Sequence, residues 1–292
     1  MRLGGGAGMR PWCVAALAVA LLGAGGAVAA PAPGASNLPL LTTPEFPSPG
    51  PPHSAAADAT TYERCMNLAR DDPAAAKKLA EDWHRRGGFH PAEHCYAVAL
   101  IGLGDYREAA GRLEALAEAM THAPAGLRAG VLDQAAQAWL LAGDTGRAYD
   151  DDSAALRLNP GDAALLVDRA EAAGAAHRYD KAIADLDRVL NADPRRLDAL
   201  IYRATAYREL GKLAPALADI DAALKLAPES VPALLERGNI LGIQGDVEGA
   251  RRAWERVAAL APATAAAAAA KANLARLNLL GPAIPTAPPP RR

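Results

Sequence analysis

The sequence predicts an all-α solenoid, a stack of near-identical helix–turn–helix units. Three observations predict it. Pro160, Pro194, Pro228 and Pro262 stand 34 residues apart. Leu132, Leu166, Leu200 and Leu234 keep the same period, and so do Ala148, Ala182, Ala216 and Ala250. Independent ladders in one register mark a single supersecondary unit repeated, and 34 residues is the length of a helix–turn–helix repeat. No segment alternates β-branched and polar residues with period two, so strands are not expected. Aromatics make up only 4% of the 292 residues, which leaves the interior to Leu, Ala, Val and Ile. Small Ala side chains let helix axes approach closely.

The elements follow in order. Residues 1–29 read as a cleavable export signal. Arg2 and Arg10 supply positive charge, Trp12 to Leu22 is apolar, and Ala27-Val28-Ala29 gives the small-x-small cleavage pattern before Ala30. Met9 offers a second start. The rival reading is an uncleaved membrane anchor, because no charge stands between Arg10 and Glu45. Gly23, Gly25, Gly26 and the small-residue end favour cleavage. Removing the signal takes the basic residues from 31 to 29 against 33 acidic ones, a net charge of −4. That balance argues against nucleic-acid or anionic-membrane binding. Residues 30–58 carry Pro31, Pro33, Pro39, Pro44, Pro47, Pro49, Pro51 and Pro52. Such density removes backbone donors and disfavours helix, so a disordered linker is expected. The Pro-rich residues 281–292 read as a similar tail.

Residues 59–120 read as two degenerate hairpins. Thr60–Ala69 pairs with Pro73–Arg86, and Ala92–Met120 folds around Gly104-Asp105-Tyr106. Pro91 is expected to begin its helix, which leaves His90 outside. Four regular units follow, 127–160, 161–194, 195–228 and 229–262. The first helix of each ends near Gly143, His177, Gly211 or Gly245. Glycine takes the left-handed conformation there easily, so His177 predicts a strained turn. A second helix follows and the proline stops it. Residues 263–280 are Ala-rich, with Leu274, Leu277 and Leu280 on one side, and read as a C-terminal capping helix.

The run Arg203-Ala204-Thr205-Ala206-Tyr207, then Gly211, Ala216 to Leu224 and Pro228, resembles a tetratricopeptide repeat. Ala182-Ile183-Ala184-Asp185-Leu186-Asp187 and Arg237-Gly238 fit the same pattern. The resemblance is strong over 127–262 and weaker over 60–120. It implies a right-handed superhelix of antiparallel helix pairs. It also implies a concave groove, lined by first helices, that often binds peptides or partner proteins. Departures exist. The large aromatic expected in the first helix is Ala173 in one unit and Leu241 in another, and the second-helix aromatic appears as Asp152, Leu186, Ile220 and Trp254. Asp152 predicts poor packing or a local bend in its unit.

A polar ladder, Gln137, Glu171, Thr205 and Asn239, is expected on the groove side. Asp133, Val167, Ile201 and Leu235 stand beside it, with Leu141, Arg208, Glu209 and Ile243 deeper along the helices. Amides and hydroxyls there can bond an extended peptide backbone while aliphatics give sequence-tolerant contact. The bland alternative is ordinary solvated helix surface. Carboxylate-clamp members of the family use Lys, Arg and Asn at such sites. That basic set is missing here, so a receptor for chaperone tails is not expected.

Arg169, Arg203 and Arg237 recur at 34 residues, as do Asp151, Asp185 and Asp219. Pairing each Asp with the Arg of the following unit orphans none of them. That arrangement predicts the inter-repeat ion pairs Asp151–Arg169, Asp185–Arg203 and Asp219–Arg237. Cys65 and Cys95, 30 residues apart, fall on adjacent first helices and suit a disulfide. The alternative is two small buried thiols. His84, His90, His94 and Cys95 cluster in sequence, but a solvated helix start is expected rather than a metal site. No phosphate loop, nucleophile elbow or His-Glu-x-x-His motif is present, so neither an enzyme nor a cofactor is expected.

These readings converge on a non-enzymatic protein–protein interaction scaffold of the bacterial cell envelope. It would be periplasmic, with no stable membrane insertion once the signal is cleaved, and would hold a protein or peptide partner in its groove. Two alternatives stay open: a structural tether or assembly spacer that uses no groove, and an N-terminally anchored chain facing the periplasm.

Overall fold

The structure, a computed structural model, describes residues 55–279. The expected signal, the expected tail and nearly all of the expected linker lie outside the described residues. Residues 55–58, expected as linker, instead open the first helix. The described residues form thirteen α-helices and no strand. None of these helices is long and apolar enough to cross a membrane.

The helices fall into consecutive pairs: α1 (Ala55–Asp71) with α2 (Pro73–Arg85), and α3 (Phe89–Leu103) with α4 (Tyr106–Ala119). The regular pairs are α5 (Ala125–Leu141) with α6 (Thr145–Leu158), α7 (Ala163–Ala175) with α8 (Tyr179–Ala192), α9 (Leu197–Glu209) with α10 (Leu213–Leu226), and α11 (Val231–Gln244) with α12 (Val247–Leu260). α13 (Ala265–Leu279) closes the series. They form two compact units, residues 55–192 and 193–279.

Local chemistry sets these boundaries. Pro160, Pro194, Pro228 and Pro262 each lie two residues beyond the end of a second helix. Asp72, Asp144, Asp162, Ser230 and Asp246 cap helix starts by accepting from backbone N–H groups of the first turn. Gly143, Gly211 and Gly245 turn the chain with φ of +78°, +71° and +84°, and His177 stands in the same place at +57°. The Asp144 N–H reaches back 2.9 Å to the Trp139 carbonyl, the bond that closes a left-handed helix end. One expectation fails at α3, which begins at Phe89 and so takes in His90.

In the unit 55–192, the ladder residues Ala148 and Ala182 are completely buried. A core of Leu100, Leu113, Val131, Ala135 and Trp139 joins α3, α4 and α5. Cys65 of α1 is disulfide-bonded to Cys95 of α3, with the Cα atoms 6.1 Å apart. Closing a loop of that length stabilises by roughly 3–4 kcal/mol on the chain-entropy argument. Asp152 is buried where the other second helices carry Leu186, Ile220 and Trp254.

The ion pairs differ from the expected set. Arg169 grips Asp185 with a bidentate fork, Nε to Oδ2 at 2.8 Å and Nη2 to Oδ1 at 2.6 Å. Within the unit 193–279, Arg203 grips Asp219 in the same way at 2.8 and 2.7 Å. Both pairs therefore tie the two helices of one repeat. The contacts back to the preceding repeat come from a position two residues beyond the expected one. Arg169 Nη1 reaches Ser153 Oγ at 3.4 Å, and Arg237 reaches Asp221, not Asp219, at 3.4 Å. Two residues on a helix point about 200° apart, so the expected aspartates face another way.

The last repeat shows how side-chain volume is traded between facing helices. Ala136, Ala170, Ala204 and Gly238 occupy one first-helix position at the period of 34. A Cβ at Gly238 would lie 2.5 Å from Trp254 Nε1. Glycine is therefore the residue that admits the large second-helix Trp254, whereas Ala204 faces a repeat with Ile220. Gly238→Ala should destabilise the chain by about 2 kcal/mol through overpacking. Combining it with Trp254→Leu should recover part of that loss, measured as the urea midpoint of unfolding.

Candidate functional site

In the unit 55–192, three of the expected groove residues, Asp133, Gln137 and Leu141, are partly accessible. Asp133 and Gln137 of α5 lie one turn apart, and Gln137 Nε2 donates to Asp133 Oδ2 at 2.9 Å. Val167 and Glu171 of α7 are buried.

In the unit 193–279, most of the expected groove residues have turned inward; Ile243 stays exposed and Glu209 partly so. Ile201 and Leu235 are core residues. Thr205 is buried, and its hydroxyl donates to the Ile201 carbonyl at 3.0 Å. The Arg208 side chain is only 2% exposed. Its Nε donates to Glu236 Oε1 at 2.6 Å and its Nη1 lies 2.8 Å from Glu209 Oε1. Burial alone would lower the Arg208 pKa; Glu236 and Glu209 more than offset that and leave it raised. Asn239 Nδ2 donates to Glu236 Oε2 at 3.3 Å. The Asn239 carbonyl accepts from Trp254 Nε1 at 3.2 Å and from Asn273 Nδ2 at 3.1 Å. One network thus joins α9, α11, α12 and α13. Its polar atoms serve the repeat itself, so Thr205 and Asn239 offer no open row of contacts.

Two polar clusters escaped the sequence reading. His94, expected at a solvated helix start, is completely buried. Its Nδ1 lies 2.8 Å from the Tyr62 hydroxyl and its Nε2 lies 2.6 Å from Gln134 Oε1. A neutral imidazole meets both, accepting from Tyr62 and donating to Gln134, and so bridges α1, α3 and α5. Burial lowers its pKa to about 4, with the Gln134 bond acting in the opposite sense. The second cluster holds Asp151, expected to meet Arg169. It faces α4 instead and hydrogen-bonds Glu114, whose Oε1 accepts from Trp139 Nε1 at 2.6 Å. Burial, then the Glu114 and Asp150 charges, push the Asp151 carboxyl up to about 8, while Arg147 opposes them. The folded state therefore favours a proton on the Glu114–Asp151 pair. Neither cluster was legible in sequence, because His94–Gln134 is 40 residues apart and Glu114–Asp151 lies off the 34-residue period.

Among the described residues, no three His, Cys, Asp or Glu side chains converge as metal ligands. A surface recess of about 510 Å³ lies between Gly104–Glu108 and Leu141–Ala142.

No protein-family model and no curated protein matches this sequence. Solved structures do. A thermophilic tetratricopeptide-repeat protein of Thermus thermophilus superposes with a TM-score of 0.52, at 18% identity over 65% of this chain and 99% of its own. A chain of an APC/C hetero-tetramer gives 0.56, at 14% identity over 74% of this chain and 42% of its own. The first tetratricopeptide domain of Spaghetti, bound to an HSP90 peptide, is 27% identical over 40% of this chain and 91% of its own, with a TM-score of 0.38. The first two likenesses fix the architecture as tandem antiparallel helix pairs.

Two expectations follow from the buried polar groups. Glu236→Gln should cost about 3 kcal/mol by leaving Arg208 underpaired in the interior, and Arg208→Met with Glu236→Leu should recover most of it. Chemical denaturation of the single and double variants checks this. Two buried groups should shape the pH response in opposite directions. The His94 contribution is complete above about pH 6.5 and is lost as pH falls toward 4. The Asp151 contribution is complete below about pH 4 and is lost as pH rises toward 8. The two windows overlap with opposite slopes, so the melting temperature should stay roughly level from about pH 4 to 6.5, where they offset, and fall from there toward pH 8. Asp151→Asn should remove the alkaline fall and expose the His94 limb, a melting temperature that drops as pH falls from about 6.5 toward 4.

Proposed function

From its tetratricopeptide-repeat fold, we propose that this chain is a non-enzymatic protein-interaction scaffold of the bacterial cell envelope. The observation that carries the reading is the tandem of rigid helix pairs, which presents side chains without a folding cost when a partner binds. Export through residues 1–29 belongs to the same proposal, with the mature chain beginning at Ala30 in the periplasm. The partner is a protein or a peptide, and nucleic acid is not expected on an acidic chain. A fold of this kind hosts unrelated tasks, so the function rests on which surfaces stay open. Asp133 and Gln137 on α5 are the accessible polar contacts left to a groove along the first helices.

A second reading, a tether or spacer with no groove in use, is favoured by one observation. Thr205, Arg208 and Asn239 spend their hydrogen bonds within and between the stacked helices rather than on an open face. Crosslinking in the native envelope separates the two. Capture of a defined partner that is lost in Asp133→Ala/Gln137→Ala supports the groove. Capture that survives the double variant rules the α5 groove out, and no capture at all leaves the spacer.

A further inference from the structure

The turn between α7 and α8 departs from the repeat's own pattern. Where Gly143, Gly211 and Gly245 sit in the left-handed region, His177 holds φ +57°. That backbone strains any residue with a Cβ. Non-glycine residues persist in such conformations where the surrounding structure holds them, and they cluster at functional sites. The His177 imidazole is exposed, and its Nδ1 lies 2.7 Å from the Tyr179 hydroxyl with the two rings edge to face.

Beside it, three cations gather at one ring. Arg178 Cζ, Lys181 Nζ and Arg169 Cζ lie 5.3, 5.0 and 5.6 Å from the centroid of Tyr149 on α6. Arg169 is neutralised by its fork onto Asp185. Arg178 and Lys181 are exposed and form no ion pair with any described residue. Asp180 stands between them in sequence and pairs with neither. The ring attracts both charges and limits the freedom of their stems, which lowers the ordering cost of binding an anion.

We propose that this turn docks a carboxylate-rich segment of a partner protein. Arg178 and Lys181 supply the charge, Tyr149 the platform and His177 a further hydrogen-bonding group. The proposal rests on the scaffold reading and names the chemistry of the partner. Charge complementarity selects the occupant. The chain's own flanking residues do not fit, since 1–54 contain one acid, Glu45, and 280–292 contain none.

The test titrates a short alternating Asp-Glu peptide into the full chain by calorimetry. Binding should weaken as salt rises. Arg178→Ala/Lys181→Ala should weaken it about tenfold. His177→Gly should raise the melting temperature by about 2 °C and still weaken the peptide about threefold. That split separates a site from a merely strained turn. A parent chain that ignores the peptide, or either variant binding as the parent does, overturns the proposal. So does tighter binding, through the same residues, to phosphatidylglycerol vesicles. A chain that captures a partner in the envelope yet ignores the peptide loses this site and keeps the scaffold reading.

Discussion

Close approach of paired helices through very small side chains is the constraint on which the rest depends. Ala148, Ala182, Ala216 and Ala250 are each completely buried at the same level of successive second helices. The facing first helices carry Ala136, Ala170, Ala204 and Gly238. With aromatics so sparse, the interior gains its burial from many short contacts rather than a few large ones. An extra methyl at such a crossing has nowhere to go, because interiors are packed as densely as crystals. Trp254 tests the rule from the other side, since the repeat that admits it has surrendered its last Cβ at Gly238.

Tight crossings decide where polar groups can live. The forks Arg169–Asp185 and Arg203–Asp219 sit between the helices of a single repeat and set how its two rods are angled. They are partly shielded, so their contribution is more to orientation than to net stability. The irregular pairs α1–α4 and their junction with α5 and α6 use other means. The disulfide joins α1 to α3, the His94 relay joins α1, α3 and α5, and the Asp151–Glu114 hydrogen bond joins α4 to α6. Where the repeat loses its period, covalent and hydrogen-bonded ties replace repeated packing.

The architecture was legible because helix ends are written in residue types that act locally. Proline stops each second helix, glycine or a strained histidine turns each first one, and the period carries those signals through four repeats. The partners of polar side chains were not legible to the same degree. Spacing places Arg169 and Asp185 on facing helices, but a shift of two residues decides which side of a helix an aspartate faces. Periodicity also marked Thr205, Arg208 and Asn239 as surface groups. It could not show that Glu236, Trp254 and Asn273 converge on two of them. Tertiary contacts across 15 to 34 residues decided that outcome.

Asn273 adds a last step. It stands 34 residues after Asn239 and so occupies the ladder position of a further first helix, although no second helix among the described residues follows α13. Its amide donates to the Asn239 carbonyl that Trp254 also uses. A repeat stack cannot stop on an open apolar face. Here α13 covers it with buried Ala266, Ala267 and Ala270 and turns exposed Lys271 and Arg276 outward. The polar ladder thus works as a register key at the end of the series: the amide pair fits only if α13 docks with its alanines over α12. Selection for that key, rather than for a ligand, is enough to explain an amide at Asn239. Surfaces free of such internal duties, the α7–α8 turn foremost among them, are then where the identity of a partner should be sought.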